Sequence, residues 1–328
     1  MKHVLVIRLS ALGDVAILAP ILKARAEANP ELTFTVAAPP MLEPLFKGQT
    51  NVHFLGLKKK QSSWKIFQAL KAVGADTVAD LHVVNRVGRA LFLLRIDALL
   101  HLNFRFKIFR LRKGRFSRMV MLRHWNMTPR RPQWQRYDDV FRRMLGTDSS
   151  NALPITYNPL PTKRIGIAPF SQHEGKVWPW DNIEQLVRML AADGYQVLLF
   201  GSKEEAPQLE ALAATVDGAE SVAGKLTFSE ELNTIKSLSL MVSMDSANMH
   251  FASAMSTPVV SIWGATHPDF GFYGYRQDRR NALCADLPCQ PCSAFGQKAC
   301  RYGDYRCLKA ITPEMVMHRI GSLIDNII

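Results

Sequence analysis

No stretch of this 328-residue chain runs to 18 uncharged apolar residues, so a helix crossing a bilayer is not expected. The G-x-G-x-x-G fingerprint is missing, which argues against a dinucleotide oxidoreductase, and so is the G-x-x-x-x-G-K-[ST] of a Walker loop. H-E-x-x-H and G-x-S-x-G are absent too, removing the commonest metalloprotease and hydrolase readings. Neither an internal repeat, a low-complexity tract nor an RNA-binding signature occurs. The start, MKHVLVIRLSALGD, faintly resembles a signal peptide, but Arg8 and Asp14 interrupt the apolar run and no small-residue cleavage site follows. It reads instead as a first β-strand, and the expected compartment is the cytoplasm.

Acidic residues are scarce in one half only. Residues 1–160 carry 26 Lys and Arg against 10 Asp and Glu, whereas residues 161–328 carry 15 against 18. Residues 86–143 alone hold 16 basic and 3 acidic side chains within a chain of net charge +13. A merely solvated surface mixes the signs, so this bias points to a polyanionic partner such as lipid headgroups, a phosphorylated glycan or nucleic acid.

Cysteine is absent from the first 283 residues, and all five cysteines then fall between Cys284 and Cys307. The C-x4-C-x2-C-x7-C-x6-C spacing can hold a structural zinc through four thiolates. A single C-x2-C pair is equally compatible with reduced thiols packed in a surface excursion. No partner base marks any of them as a nucleophile.

Short β-rich runs alternate with helical patterns along both halves, which predicts parallel sheets with right-handed crossovers. In the first half the strand Val4–Arg8 precedes a helix over about 14–28, and Thr33–Ala37, Val52–Leu57 and Thr77–Leu81 follow, each with a helical partner. Residues 101–131 fit neither period, mixing Phe104, Phe106, Phe109 and Phe116 with seven basic residues from Arg105 to Arg118. That stretch reads either as an irregular strand pair or as a basic–aromatic surface on a membrane interface. Three prolines mark Ser149–Lys163 as the linker. A second series then starts at Arg164 and closes with Val259–Trp263, and a last helical pattern begins at Pro313. The expected organisation is a first domain over 1–155, a second over 156–311, and a helix over 312–328 packing back on the first.

Polar residues stand at three strand C-terminal ends, where open α/β sheets bind ligands. At Ser10 to Asp14 position alone makes Asp14 an ordinary N-cap; a helix start also keeps a carboxyl ionised and able to take a proton from a hydroxyl. At Phe170 to Asp181, Ser171 and His173 follow a strand, and Lys176 beside Gly175 is suited to a diphosphate or to solvent, with Asp181 as a cap. At Asp245 to His250, Asp245, Ser246 and Asn248 line a helix start one turn before His250, next to Gly264-Ala265-Thr266. His250 alone is more often a core histidine, but this setting favours a phosphate or ribose ligand.

The chain resembles the family 9 glycosyltransferases, the ADP-heptose:lipopolysaccharide heptosyltransferases. The likeness rests on VLVIRLSALGDV at 4–15, Asp80-Leu81 with Arg86, Ile167-Ala168-Pro169 with Lys176-Val177-Trp178-Pro179, and Leu199-Phe200-Gly201-Ser202. It continues through MDSANMH at 244–250, PVVSIWGATHP, and the Cys-rich segment ending in Cys307 and Ile311. The resemblance implies a GT-B fold, two Rossmann-like parallel-sheet domains facing across a cleft, and an inverting, metal-independent, cofactor-free transfer. Asp14 then becomes the base. Ser171, Lys176, Asp245, Ser246, Asn248 and His250 become the donor site for ADP-L-glycero-D-manno-heptose, a nucleotide sugar. Arg86 and Arg89 become acceptor-side residues for a phosphorylated lipid A/Kdo-type acceptor at the anionic inner-membrane surface, with no nucleic acid as partner. Two departures stand out: members read D-[ST]-G where Ala247 follows Ser246, and a ribose-contacting acid of some members falls at Ser229, beside Glu230 and Glu231. The alternatives are another nucleotide sugar on a different cell-surface glycan, and a non-catalytic membrane- or nucleic-acid-binding α/β protein.

Overall fold

The computed structural model describes residues 2–147 and 162–325, so nearly all of the expected linker and the 155/156 boundary lie outside the described residues. The chain divides into two units, one built from residues 2–113 and 133–147 and the other from 114–132 and 162–325.

In the first unit β1 (His3–Ile7), β2 (Thr33–Ala38), β3 (Val52–Gly56), β4 (Thr77–Asp80) and β5 (Lys107–Arg110) form one sheet in the order β3-β2-β1-β4-β5. Every pairing is parallel, with Ile7 opposite Ala37 on one side and Asp80 on the other. β1 is a continuous apolar run because helices cover both faces of a parallel sheet; Val4 to Ile7 are at most 1% exposed. The helices are α1 (Leu12–Glu27), α2 (Ser63–Val73), α3 (Asn85–Leu100) and α5 (Gln133–Leu145), with α4 (Arg115–Leu122) in the stretch that belongs to the second unit. α2 starts where the Ser62 hydroxyl accepts the Lys65 N–H and stops at Gly74, whose φ of 65° suits a residue without a side chain. Arg25 grips Asp138 through two guanidinium nitrogens at 2.6–2.8 Å and so fastens α5 to α1.

In the second unit β6 (Arg164–Ala168), β7 (Gln196–Leu199), β8 (Ala219–Ser221), β9 (Leu240–Met244), β10 (Val259–Trp263) and β11 (Ala282–Cys284) lie in the order β11-β10-β9-β6-β7-β8, again parallel. α6 (Trp180–Ala192), α7 (Ala206–Ala213), α8 (Phe228–Lys236), α9 (Ala247–Ala254), α10 (Arg306–Lys309) and α11 (Pro313–Asp325) accompany it. Trp178, 1% exposed, sits in this core and its indole N–H donates to the Ile311 carbonyl at 2.9 Å. That bond satisfies the polar atom of a large buried ring and ties the segment before α6 to the one before α11.

Three expectations need correction. Residues 101–131 hold no strand pair: β5 alone joins the sheet, and α4 follows it. Residues 114–132 pack with the second unit, where the Arg130 N–H donates to Asp269 O at 2.9 Å, so the first domain is not one continuous segment. α11 belongs to the second unit, not to the first. Its apolar face, Val316, Ile320 and Leu323, completes the core of the second unit against α6, because a helix buries its stripe on the nearest uncovered apolar surface. The sequence reading also ended the second sheet at β10, one strand short of β11, and missed α5 altogether.

Candidate functional site

Asp14 is the third residue of α1, and Ala11 rather than Asp14 occupies the N-cap. Its Oδ2 accepts the Ala11 backbone N–H at 3.1 Å and pairs with Arg8 Nη2 at 2.5 Å, while Oδ1 accepts the Tyr137 hydroxyl at 2.9 Å. Burial pushes the carboxyl pKa up, but the Arg8 charge and these hydrogen bonds outweigh it and hold Asp14 below the ordinary carboxylate range. A carboxylate has about four acceptor positions, and three are taken, leaving one lone pair for a ligand. Arg8 is itself fixed, because Nη1 donates to the Leu81 carbonyl at 2.5 Å. Burial, then the neighbouring Asp14, raises the Tyr137 pKa, so this phenol stays a donor.

The end of β4 completes the surroundings. Asp80 is fully buried; its Oδ1 accepts the His82 and Val83 N–H groups at 3.1 and 2.8 Å, and burial raises its pKa. His82 is pushed down to about 4 by burial and then by the Arg8 charge, so it is neutral at pH 7. Arg8, Tyr137 and His82 were missed as site residues. The available signal was Arg8 itself, a charge in an otherwise buried strand run.

Arg86 and Arg89 lie in the exposed first turns of α3. Arg89 lines an open groove of about 610 Å³ with Phe92, Arg95, Ile108 and Arg110, whereas Arg86 reaches the Gln61 carbonyl at 3.5 Å. Phe92 of the groove, and Leu100, Leu102 and Phe104 later in the chain, are 64–77% exposed.

In the second unit the segments that follow β6, β9 and β10 come together. Lys176 Nζ pairs with Asp245 Oδ2 at 2.8 Å and donates to the Asp245 carbonyl at 3.2 Å, with side-chain exposures of 14% and 10%. The Ser171 hydroxyl donates to that carbonyl at 3.3 Å, and the Thr266 hydroxyl donates to Asp245 Oδ2 at 2.8 Å. Ser246 is the N-cap of α9, but its side chain caps nothing and meets the Ser243 hydroxyl at 3.1 Å. The first amides of α9, at Ala247 and Asn248, therefore lack a side-chain cap and point their dipole toward whatever binds there. His250 follows in the first turn, 8% exposed. Gly264 is required for this closeness: a Cβ there would strike the Gly175 carbonyl and the Leu308 side chain. Two sequence details shift. Asp181 is the second residue of α6 rather than its cap, and Glu230, beside Ser229, is committed to a capping box with Thr227. An electropositive helix start, a buried lysine and a carboxylate at strand ends make a site for an anionic sugar phosphate.

Two parallel-sheet units with polar residues at their strand ends define a two-unit α/β architecture suited to anionic ligands. The Glycosyltransferase family 9 (heptosyltransferase) model matches residues 101–304, and the chain belongs to that family. Lipooligosaccharide heptosyltransferase 2 of Haemophilus influenzae is 30% identical over 112 residues, covering 32% of this chain and 32% of that protein. The chain thus spans about a third of the length of the curated relatives it matches. The family 9 glycosyl transferase of Veillonella parvula superposes with a TM-score of 0.74 at 18% identity, over 99% of this chain and 98% of that one. The E. coli ADP-heptose LPS heptosyltransferase II gives 0.68 at 20%, over 99% of both chains. These similarities establish the fold as that of the GT-B heptosyltransferases.

Proposed function

We propose that the chain transfers a heptose from ADP-L-glycero-D-manno-heptose, with inversion, to a phosphorylated lipid A/Kdo-type acceptor of the lipopolysaccharide inner core. The observation that carries the reading is the Lys176–Asp245 pair, 2.8 Å apart and side by side with the uncapped start of α9. A diphosphate takes over Lys176 as counter-ion and the α9 amides as donors, and the released Asp245 carboxylate accepts hydroxyls of the heptose. Ser171, Ser246, Asn248 and His250 frame that pocket. Asp14, ionised and with one free lone pair, accepts the proton of the acceptor hydroxyl as it attacks the anomeric carbon. The carbon–oxygen bond to the diphosphate breaks, ADP leaves with the electron pair, and Lys176 meets the added charge. In this scheme no metal ion takes part in the transfer itself.

The groove with Arg89, Arg95 and Arg110 suits the acceptor's phosphates, with Arg86 at its approach. The exposed apolar residues from Phe92 to Phe104, set among basic side chains, suit the cytoplasmic face of an anionic inner membrane. Co-sedimentation reads that contact: binding to anionic vesicles and not to neutral ones is expected, and a protein left in the supernatant removes it.

Calorimetry against ADP-heptose, UDP-sugars and GDP-sugars tests the donor. Binding of ADP-heptose alone is expected. Preference for another nucleotide sugar moves the chain to a different glycan, and no binding to any of them favours a non-catalytic protein.

A further inference from the structure

His82 stands where β4 hands over to α3, and the backbone on either side of it is clamped. The Leu81 N–H donates to the Ile7 carbonyl at 3.1 Å, and the Leu81 carbonyl accepts Arg8 Nη1 at 2.5 Å. The His82 and Val83 N–H groups both end on Asp80 Oδ1. Val83 is a β-branched residue at φ 49°, a left-handed conformation that such side chains avoid. Strain of this kind persists only where the surroundings impose it, and it gathers at functional sites. The imposing group is Asp80, which is 0% exposed; its second oxygen accepts no hydrogen bond and faces Arg110 Nε at 3.4 Å. A buried carboxylate and a strained valine are a costly way to close a short turn. What they fix is the place of one imidazole.

That imidazole is set beside the base. Arg8 holds the Leu81 carbonyl with Nη1 and Asp14 Oδ2 with Nη2, so one guanidinium places both the carboxylate and the peptide that precedes His82. The charged groups that act on the ring are Arg8, Lys113, Asp14 and Lys59. His82 is 7% exposed, yet neither ring nitrogen has a hydrogen-bond partner among the described residues, and neither is sealed from solvent. A histidine buried only for packing has its nitrogens satisfied by the protein; this one keeps both for something that arrives. Burial and the Arg8 charge keep the ring neutral at pH 7, so it offers one N–H and one lone pair. A sugar hydroxyl, which donates and accepts at once, matches that pair better than a phosphate or a carboxylate does.

We propose, on the reading of Asp14 as the base of a heptosyl transfer, that His82 binds the acceptor sugar through a hydroxyl next to the attacking one and so selects which hydroxyl attacks. Asp14 has one open acceptor position and cannot by itself choose among the neighbouring hydroxyls of a ring. A second contact on a rigid mount at the same strand ends removes the sugar's freedom to turn, which is what an oriented nucleophile requires. No proton moves to or from His82: the imidazole orients, and Asp14 takes the proton.

Transfer to a detergent-solubilised lipid A/Kdo acceptor, with donor and acceptor varied separately, tests this. His82→Ala is expected to lower kcat/KM for the acceptor about 5- to 10-fold and to leave the KM for ADP-heptose unchanged. His82→Asn or His82→Gln, whose amide again offers a donor and an acceptor, is expected to recover most of the loss. Among acceptor analogues that each lack one hydroxyl, the wild type is expected to reject one about 5- to 10-fold, and His82→Ala to accept it as well as the parent acceptor. If His82→Ala does not fold, His82→Phe, which fills the space without a polar atom, replaces it in both comparisons. An unchanged kcat/KM, a raised KM for ADP-heptose, no recovery in either amide variant, or a substituted chain that still rejects the same analogue would each overturn the proposal. A wild type that transfers nothing to this acceptor is a different result: it overturns the heptosyltransferase reading, and the proposal falls with it.

Discussion

Two carboxylates, Asp14 and Asp245, occupy matching places at strand-to-helix junctions, and each is paired with a cation. Their partners differ in kind. Asp14 is held by Arg8, which is tied to the Leu81 carbonyl, and by the fully buried Tyr137. Those donors are themselves anchored, so this carboxylate is a fixed charge with a lowered pKa. Asp245 is held by Lys176, whose long stem can turn its ammonium to a phosphate, and by the small Thr266 hydroxyl. One junction is built to keep its charge arrangement through a reaction cycle and the other to exchange partners.

The sharpest way to break this contrast is at the base. Asp14→Asn keeps the shape and the Tyr137 contact but cannot take a proton, and turnover is expected to fall by about 10²–10⁴; near-normal single-turnover rates would remove Asp14 from the chemistry. Arg8→Met leaves Asp14 buried without its counter-charge, and urea unfolding is expected to show a loss of about 3–5 kcal/mol. A change within a few tenths would mean that the pair is not the fixed element described. Lys176→Ala removes the exchanging partner, and because charge-assisted bonds are worth about 1.5–3 kcal/mol, ADP affinity is expected to drop about 10- to 150-fold in calorimetry. The last test is the pH response of the fixed cluster. His82 titrates at about 4 in the folded state and near 6.5 when unfolded, so below pH 6.5 the unfolded chain takes up a proton that the folded chain refuses. Stability is expected to fall between pH 6.5 and pH 4 in the wild type and to fall less in His82→Asn; parallel urea midpoints in the two would contradict the burial argument.

Much of the fold was legible because parallel strands announce themselves as short apolar runs. β1 and β10 are buried over almost their whole length and were read within a residue or so. β5, in contrast, is an edge strand with Lys107 and Arg110 exposed, so nothing apolar marked it among the basic–aromatic residues. α5 was invisible for a related reason. Its buried face is Tyr137, Val140, Phe141 and Met144, spread among so many charges that the run looks polar throughout. Ser171, Lys176 and Asp245 could be grouped from the sequence because strand ends in an α/β series fall together in space by rule, and the three do meet. Tyr137 was not, since it reaches Asp14 from a helix 123 residues away and no local pattern encodes that contact. The crossing of 114–132 into the second unit was hidden likewise: it rests on contacts such as Arg118 over the Phe295 ring, at 4.9 Å, between distant stretches of chain.

The division of labour between the two carboxylates is tested most directly by titrating ADP, in parallel by calorimetry, into Asp14→Asn and Lys176→Ala. The account predicts that Asp14→Asn binds ADP as the wild type does while Lys176→Ala binds it about 10-fold or more weakly. Weakened binding in Asp14→Asn together with unchanged binding in Lys176→Ala would contradict it.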